Sequence, residues 1–305
     1  MRENVSFQAC DNVTLRGWFY APDSAAGRLP CLVMAPGFTA VKEMDLDTFA
    51  EYFCANLPIC CLVFDNRGFG DSDVAPGHPR LEIIPTQQQS DYSDAITYAQ
   101  SRSEVNPDKI GIWGSSYSGG HVLVVGAVDR RVCCVLSQMP CVDGWENFHR
   151  LIRPDFVAGL NQAFQSDRQE RAKGNPAGVI PVVDRNVFSQ CALPTPDSYE
   201  YFSKWGEKSA WKNEVTVKSI EALRAFNPSS FIHHISPTPL LMTVGSHDAV
   251  TPAELALEAY SRAREPKRLH IIPGGHFQGY SGPIFERSVR CQADFLDRHL
   301  CSKDD

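Results

Sequence analysis

The stretch that decides the architecture is Ile110-Gly111-Ile112-Trp113-Gly114-Ser115-Ser116-Tyr117-Ser118-Gly119-Gly120. Its first residues are apolar and partly β-branched, as in a buried strand, and residues 117–128 carry a helical pattern. Only small residues separate the two. A chain that turns from strand to helix within two or three residues has no space for Cβ groups where the segments cross, so glycine and serine suit the site. Such a turn lifts one hydroxyl above the edge of a sheet, the setting of a nucleophile elbow. The usual pattern is G-x-S-x-G; here it reads Gly114-Ser115-Ser116-Tyr117-Ser118, with serine in place of the second glycine and Gly119 behind it. Ser116 is the candidate nucleophile because Gly114 closes the strand two residues earlier. A competing frame makes Ser118 the nucleophile, flanked by Ser116 and Gly120. The bland alternative is a Ser-rich helix N-cap.

Outward from this turn, short β-branched runs alternate with helical patterns. Two strands open the chain at 5–8 and 14–20, and further strands are expected at 32–35, 59–65, 110–113, 132–136, 240–244 and 269–272. Helical patterns lie at 44–55, 91–100, 117–128, 252–264 and 284–299. Parallel strands need crossovers, so this alternation predicts an α/β fold with a mostly parallel central sheet and helices on both faces. The alternation stops near Cys141 and resumes near Pro239. Residues 142–235, aromatic and helix-patterned, are expected to form an inserted helical cap on a core of residues 1–141 and 236–305. Trp145, Phe148 and Trp205 are its candidate substrate-contacting aromatics, against the alternative that they are only core.

A serine hydroxyl needs a base to take its proton and a third group to orient that base. On a fold with this elbow the chain order is serine, acid, histidine. The stretch Leu240-Leu241-Met242-Thr243-Val244-Gly245-Ser246-His247-Asp248 is a strand followed by a loop that carries Asp248, and Leu269-His270-Ile271-Ile272-Pro273-Gly274-Gly275-His276 repeats the arrangement with His276. C-terminal strand ends are where an open parallel sheet binds its ligands. Ser116, Asp248 and His276 are therefore the candidate catalytic residues, with Asp143 the alternative acid. His121, His233, His234, His247 and His270 lack this context and are assigned to packing or surface. Backbone donors for a developing oxyanion are expected at Tyr117, directly after the serine, and in the loop Pro36-Gly37-Phe38-Thr39, with Phe38 the candidate and Thr39 the alternative.

Composition narrows the classes further. The net charge of −7 argues against nucleic-acid or anionic-membrane partners, which call for clustered Lys and Arg. No phosphate-binding glycine loop and no zinc-type Cys/His spacing occurs, and the triad brings its own base, so no metal and no cofactor is expected. The N-terminal residues lack the apolar stretch of a secretory signal, and runs such as 59–64 and 122–125 are too short to span a bilayer. The eleven cysteines are an odd number without a CxxC pair, several within apolar strands. They read as reduced thiols of a cytoplasmic protein.

Together these residues resemble the α/β-hydrolase superfamily over nearly the whole chain. Asp65-Asn66-Arg67-Gly68-Phe69-Gly70-Asp71-Ser72 resembles the D-x-R-G-x-G-x-S loop that many members carry after their fourth strand, where it organises the fold. Ser116-Tyr117 is similar to the Ser-Tyr nucleophile of cocaine-esterase and Xaa-Pro dipeptidyl-peptidase relatives. Ala35-Pro36-Gly37-Phe38, the elbow and Gly274-Gly275-His276-Phe277 resemble the polyketide transferase family of fungal secondary metabolism, related to dienelactone-hydrolase-like proteins. That resemblance implies hydrolysis or transfer of a polyketide acyl group held as an ester or thioester, including donors on a carrier protein or coenzyme A. Two positions depart from common patterns: Ser118 replaces the elbow glycine, and Pro36 stands where many lipases and esterases have a histidine. Competing expectations are epoxide opening or C–C cleavage on the same fold, a peptidase, and a non-catalytic ligand receptor.

Overall fold

Stretches 31–35 and 60–64 are apolar at every position, and a strand apolar on both faces has to be covered on both. The computed structural model, which describes residues 1–22 and 27–302, meets that demand. Residues 23–26 and 303–305, which the expected core span includes, lie outside the described residues. The chain opens with β1 (Arg2–Gln8), β2 (Thr14–Tyr20) and β3 (Leu29–Ala35), then α1 (Leu46–Asn56), β4 (Cys60–Phe64), α2 (Pro85–Ser101), β5 (Val105–Ser115), α3 (Tyr117–Val128) and β6 (Val132–Gln138). Next come α4 (Gly144–Leu151), α5 (Pro154–Ala172), β7 (Val179–Ile180), α6 (Pro196–Ser203), β8 (Val215–Thr216) and α7 (Val217–Leu223). The chain closes with β9 (Leu240–Gly245), α8 (Ala253–Arg262), β10 (Lys267–Ile272) and α9 (Gly282–Leu296).

Eight strands form one sheet in the order β1-β2-β4-β3-β5-β6-β9-β10. The first two are antiparallel additions at one edge; β4 through β10 run parallel. Side chains alternate across each strand, which sorts the core into two layers. Leu32, Met34 and Trp113 face α1 and α9 through Phe49, Phe53, Phe285 and Val289. Cys31, Val33 and Ile112 face α2, α3 and α8 through Tyr92, Ile96, Val122 and Leu255. Burying such side chains is worth about 1.5–3 kcal/mol each.

The winding reverses beside β3. From β3 the chain steps outward to β4, then crosses back over β3 to β5 and continues to the other edge. At such a switch point the loops leaving the two strands diverge and open a crevice at their C-terminal ends. The loops that leave β3 and β5 are Pro36-Gly37-Phe38-Thr39 and the elbow.

Helix α2 begins at Pro85, six residues before its apolar periodicity does. Proline suits the first helical turn because its missing N–H has no intrahelical acceptor there. The expected insertion contains helices α4 to α7, and also a two-residue antiparallel pair, β7 with β8, that was not expected. No helix among the described residues is long and apolar enough to cross a membrane.

Candidate active site

At the elbow the backbone is forced. A Cβ on Gly114 would come within 2.1 Å of the Ser118 carbonyl oxygen, so only glycine allows the strand and helix to cross this closely. Ser116 caps α3 with φ 58° and ψ −115°. A non-glycine residue there carries about 1–3 kcal/mol of strain, which its surroundings must sustain. They do so through the backbone. The Ser116 amide donates to the Gln138 carbonyl at 2.8 Å, and the Ser116 carbonyl accepts from Cys141 at 3.0 Å and Gly120 at 3.2 Å. The half-buried Ser116 side chain faces the crevice. Ser118, the competing frame, is 1 % exposed, and its hydroxyl donates to the Pro36 carbonyl at 2.5 Å.

Asp248 and His276 follow β9 and β10, parallel neighbours in the sheet, so the loops that leave them meet. His276 Nδ1 donates to Asp248 Oδ2 at 2.7 Å, and both residues are buried. The other carboxylate oxygen accepts the Val250 amide at 2.9 Å and the Thr251 amide at 2.8 Å. The Thr251 hydroxyl lies 2.9 Å from Asp248 Oδ2 and 3.0 Å from the Met139 carbonyl, either of which accepts its proton. Hydrogen bonds of this kind fix the position and orientation of the buried carboxylate. With Nδ1 committed, His276 keeps Nε2 as the nitrogen able to take a proton. Ser116 and His276 line one cavity. Among the described residues Ser116 Oγ has no hydrogen-bond partner, and such contacts in unliganded sites tighten when substrate binds.

The loop after β3 lies directly on the serine: a Cβ on Gly37 would come 2.7 Å from Ser116 Cβ and 3.3 Å from its Oγ. The Phe38 ring packs edge-on against Tyr117 with centroids 5.7 Å apart. Thr39 has φ 57°, a left-handed conformation that a β-branched residue rarely adopts. Its Oγ1 accepts from Trp211 Nε1 at 3.3 Å. Farther along this loop, Asp65 accepts the Lys42 amide at 2.7 Å and the Lys42 ammonium at 2.8 Å. Burial pushes the Asp65 carboxyl up, and Lys42 works against that shift. Arg67 of the same D-x-R-G segment pairs with Asp91 and Asp11.

Other candidates fall elsewhere. Asp143 caps α4, accepting the Glu146 amide at 3.0 Å, so its carboxylate is spent on a helix end. His121 is fully buried in α3 against Gln88, and His247 is exposed. The expectation for Trp145, Phe148 and Trp205 needs correction, since none of the three lines the cavity. Trp145 sits half-exposed on the outer face of α4 beneath the Arg224 guanidinium, Phe148 points from the inner face into the core, and Trp205 packs beside it, next to Lys204. The residues 142–235 that do line the cavity are Leu193, Tyr201 and Phe202, joined by Met44, Val250, Phe277 and Tyr280. Tyr280 also hydrogen-bonds Ser115, the residue before Ser116. Thr251 and Tyr280 were not anticipated. Their positions, three residues beyond the acid and four beyond the histidine, are the only sequence signal they carry.

Comparison with known proteins bears on the family and the fold. The model of the X-Pro dipeptidyl-peptidase (S15) family matches residues 11–278. A protein named thiohydrolase from Eupenicillium brefeldianum is 32% identical over 301 residues, covering 97% of this chain and 94% of its own. Polyketide transferase grgF from a Penicillium species is 30% identical, covering 98% and 97%. The crystal structure of the α/β hydrolase GrgF from Penicillium sp. sh18 superposes with a TM-score of 0.85 at 29% identity, covering 99% of this chain and all of that one. The chain thus has the α/β-hydrolase fold, is an enzyme of the serine hydrolase and acyltransferase class, and belongs to the X-Pro dipeptidyl-peptidase (S15) family.

Proposed function

We propose that this chain hydrolyses or transfers the acyl group of an ester or thioester with a bulky apolar acyl part, through an acyl-Ser116 intermediate. In this reading Ser116 Oγ attacks the carbonyl carbon while His276 Nε2 takes its proton. Asp248 fixes the imidazole tautomer and stabilises the imidazolium that forms. The amides of Phe38 and Tyr117 receive the oxyanion, and the tetrahedral species collapses as His276 returns the proton to the leaving alcohol or thiol. Water or an alcohol then attacks the acyl-serine by the same route in reverse. The scheme requires neither metal nor cofactor.

The observation that carries this reading is the 2.7 Å bond from His276 to a buried, multiply hydrogen-bonded Asp248, with Ser116 lining the same apolar cavity. The apolar wall favours an apolar acyl group and keeps bulk water scarce, which lets transfer to an alcohol compete with hydrolysis. Leu193, Tyr201 and Phe202 support residues 142–235 as a cap over a core of 1–141 and 236–305. Relatives named thiohydrolase, polyketide transferase and acyltransferase favour a polyketide thioester as donor, carried on a protein or on coenzyme A. Among the described residues the cysteines form no disulfide, and several lie within apolar strands, which supports a reducing compartment, the cytoplasm.

Intact mass after treatment with a fluorophosphonate tests the nucleophile. One adduct on the wild type and none on Ser116→Ala is expected; an unlabelled wild type sinks the proposal. An acyl N-acetylcysteamine thioester offered with and without candidate alcohols then separates hydrolysis from transfer, since only a transferase yields the new ester.

A further inference from the structure

We propose that Ser118, the serine in place of the elbow glycine, is a positioning residue that sets the spacing between the two halves of the oxyanion hole, with Asn66 as its partner. The inference rests on Ser116 being the nucleophile. Ser118 is buried, and its Oγ donates to the Pro36 carbonyl at 2.5 Å. Asn66, also buried, donates from Nδ2 to the same oxygen at 3.0 Å. Both lone pairs of the Pro36 carbonyl are thus engaged, one by the nucleophile helix and one by the loop after β4.

That carbonyl shares a rigid plane with the Gly37 amide, so fixing it fixes the entry of the chain into Gly37 and Phe38. The loop has no slack at this point, because Gly37 already lies against Ser116. Nor is the loop relaxed on its own, since Thr39 stands in the left-handed region just beyond. One proposed donor, the Tyr117 amide, belongs to the residue directly before Ser118; the other, Phe38, follows two residues after Pro36. The Ser118–Pro36 bond therefore ties the helix carrying one donor to the loop carrying the other. A glycine at 118 leaves the carbonyl to Asn66 alone. The two departures singled out in the sequence, Ser118 and Pro36, are thus partners in one hydrogen bond.

The test compares wild type with Ser118→Ala, Ser118→Gly, Ser118→Thr and Asn66→Ala in hydrolysis of p-nitrophenyl butyrate. Two inhibitors accompany it: an alkyl trifluoromethyl ketone, whose serine adduct carries an oxyanion, and butan-1-ol, a neutral alcohol that carries none. Removing an oxyanion donor outright costs about 100- to 1,000-fold, so a displaced donor should cost less, about tenfold in kcat with KM nearly unchanged. The Ki of the ketone should rise by the same factor as kcat/KM falls while that of butan-1-ol holds, as expected of a group that acts only on the transition state. Ser118→Thr, which keeps the hydroxyl, should retain most of the activity. Asn66→Ala carries the test on its own if the elbow variants do not fold. Activity of Ser118→Ala within twofold of wild type overturns the proposal, as does an equal rise in both Ki values. A wild type that neither cleaves the ester nor binds the ketone overturns the nucleophile reading as well, which separates the two failures.

Discussion

Two buried side chains near the cavity carry chemistry of their own. His121 is enclosed in α3, its Nε2 2.9 Å from Gln88 Oε1, with Tyr117 and Phe226 packed on its ring. Burial pushes its pKa down to about 3, far below the unfolded value, so it is neutral in the folded protein. Between the folded and unfolded values the unfolded chain binds the extra proton, so stability rises with pH in that window and is complete above about 6.5. Urea denaturation between pH 7 and 4 should therefore show the wild type losing more stability than His121→Leu, with a difference in slope approaching about 1.4 kcal/mol per pH unit. Parallel slopes would mean the ring is protonated or open to solvent in the folded state. Thr251 acts on the acid: Thr251→Val removes its hydroxyl from Asp248, and a hydrogen bond to a charged group is worth about 1.5–3 kcal/mol. We expect kcat to fall about tenfold or more, given that energy range, with little change in KM; an unchanged kcat would show that the two backbone amides suffice. Ser116, Asp248 and His276 stand out in the sequence because each follows an apolar strand directly, where chain order suggests the role proposed for it. Thr251 and Tyr280 were not, since what makes them matter is contact across loops.

At the scale of elements, the centre of the sheet was readable because strands such as β3 and β4 are covered on both faces and appear as unbroken apolar runs. What escaped was polar or short. The first turns of α2 contain Gln87, Gln88 and Gln89, which give no apolar period although Gln88 is buried as the partner of His121. The pair β7–β8 is too brief to show alternation. The cavity wall was misjudged for a related reason. Aromatic content alone does not tell which face of a helix a ring occupies: Trp145 faces outward on α4, while Leu193 lies in a loop with no periodicity at all. Its position in the wall gives a prediction about specificity. Leu193→Ala removes three carbons from the lining and should raise kcat/KM for a longer acyl p-nitrophenyl ester relative to the butyryl ester. One methylene in an apolar pocket is worth about 1–3 kcal/mol, so a shift of tenfold or more is expected. A ratio that stays constant would place the acyl chain elsewhere in the crevice.

For the molecule as a whole, the question is whether residues 142–235 are a separable lid or part of the core. One apolar cluster answers structurally: it runs from Met34 and Trp113 of the sheet, through Phe38 and Tyr117, to Phe148, Phe164, Phe202 and Trp211. Further ties cross the same boundary. Trp211 donates to Thr39, Tyr201 donates to the Met44 carbonyl at 3.1 Å, the Ile83 amide donates to Ser219 at 2.7 Å, and Asn147 donates to the Val250 carbonyl at 3.1 Å. A lid that opened as a unit would have to break these bonds and expose several buried aromatics, each worth about 1.5–3 kcal/mol of burial. That sum approaches the entire stability of an ordinary domain, about 5–15 kcal/mol, so the segment should not come away while the rest stays folded. The five tryptophans report on both parts, with Trp18 and Trp113 in the sheet and Trp145, Trp205 and Trp211 in the inserted segment. Equilibrium urea unfolding followed by tryptophan fluorescence and by far-ultraviolet circular dichroism should give coincident transitions, as expected of a single cooperative unit. If fluorescence changes first while the helical and strand signal persists, the inserted segment is a separable lid. Substrate entry would then be governed by its opening rather than by side-chain movements at the cavity mouth.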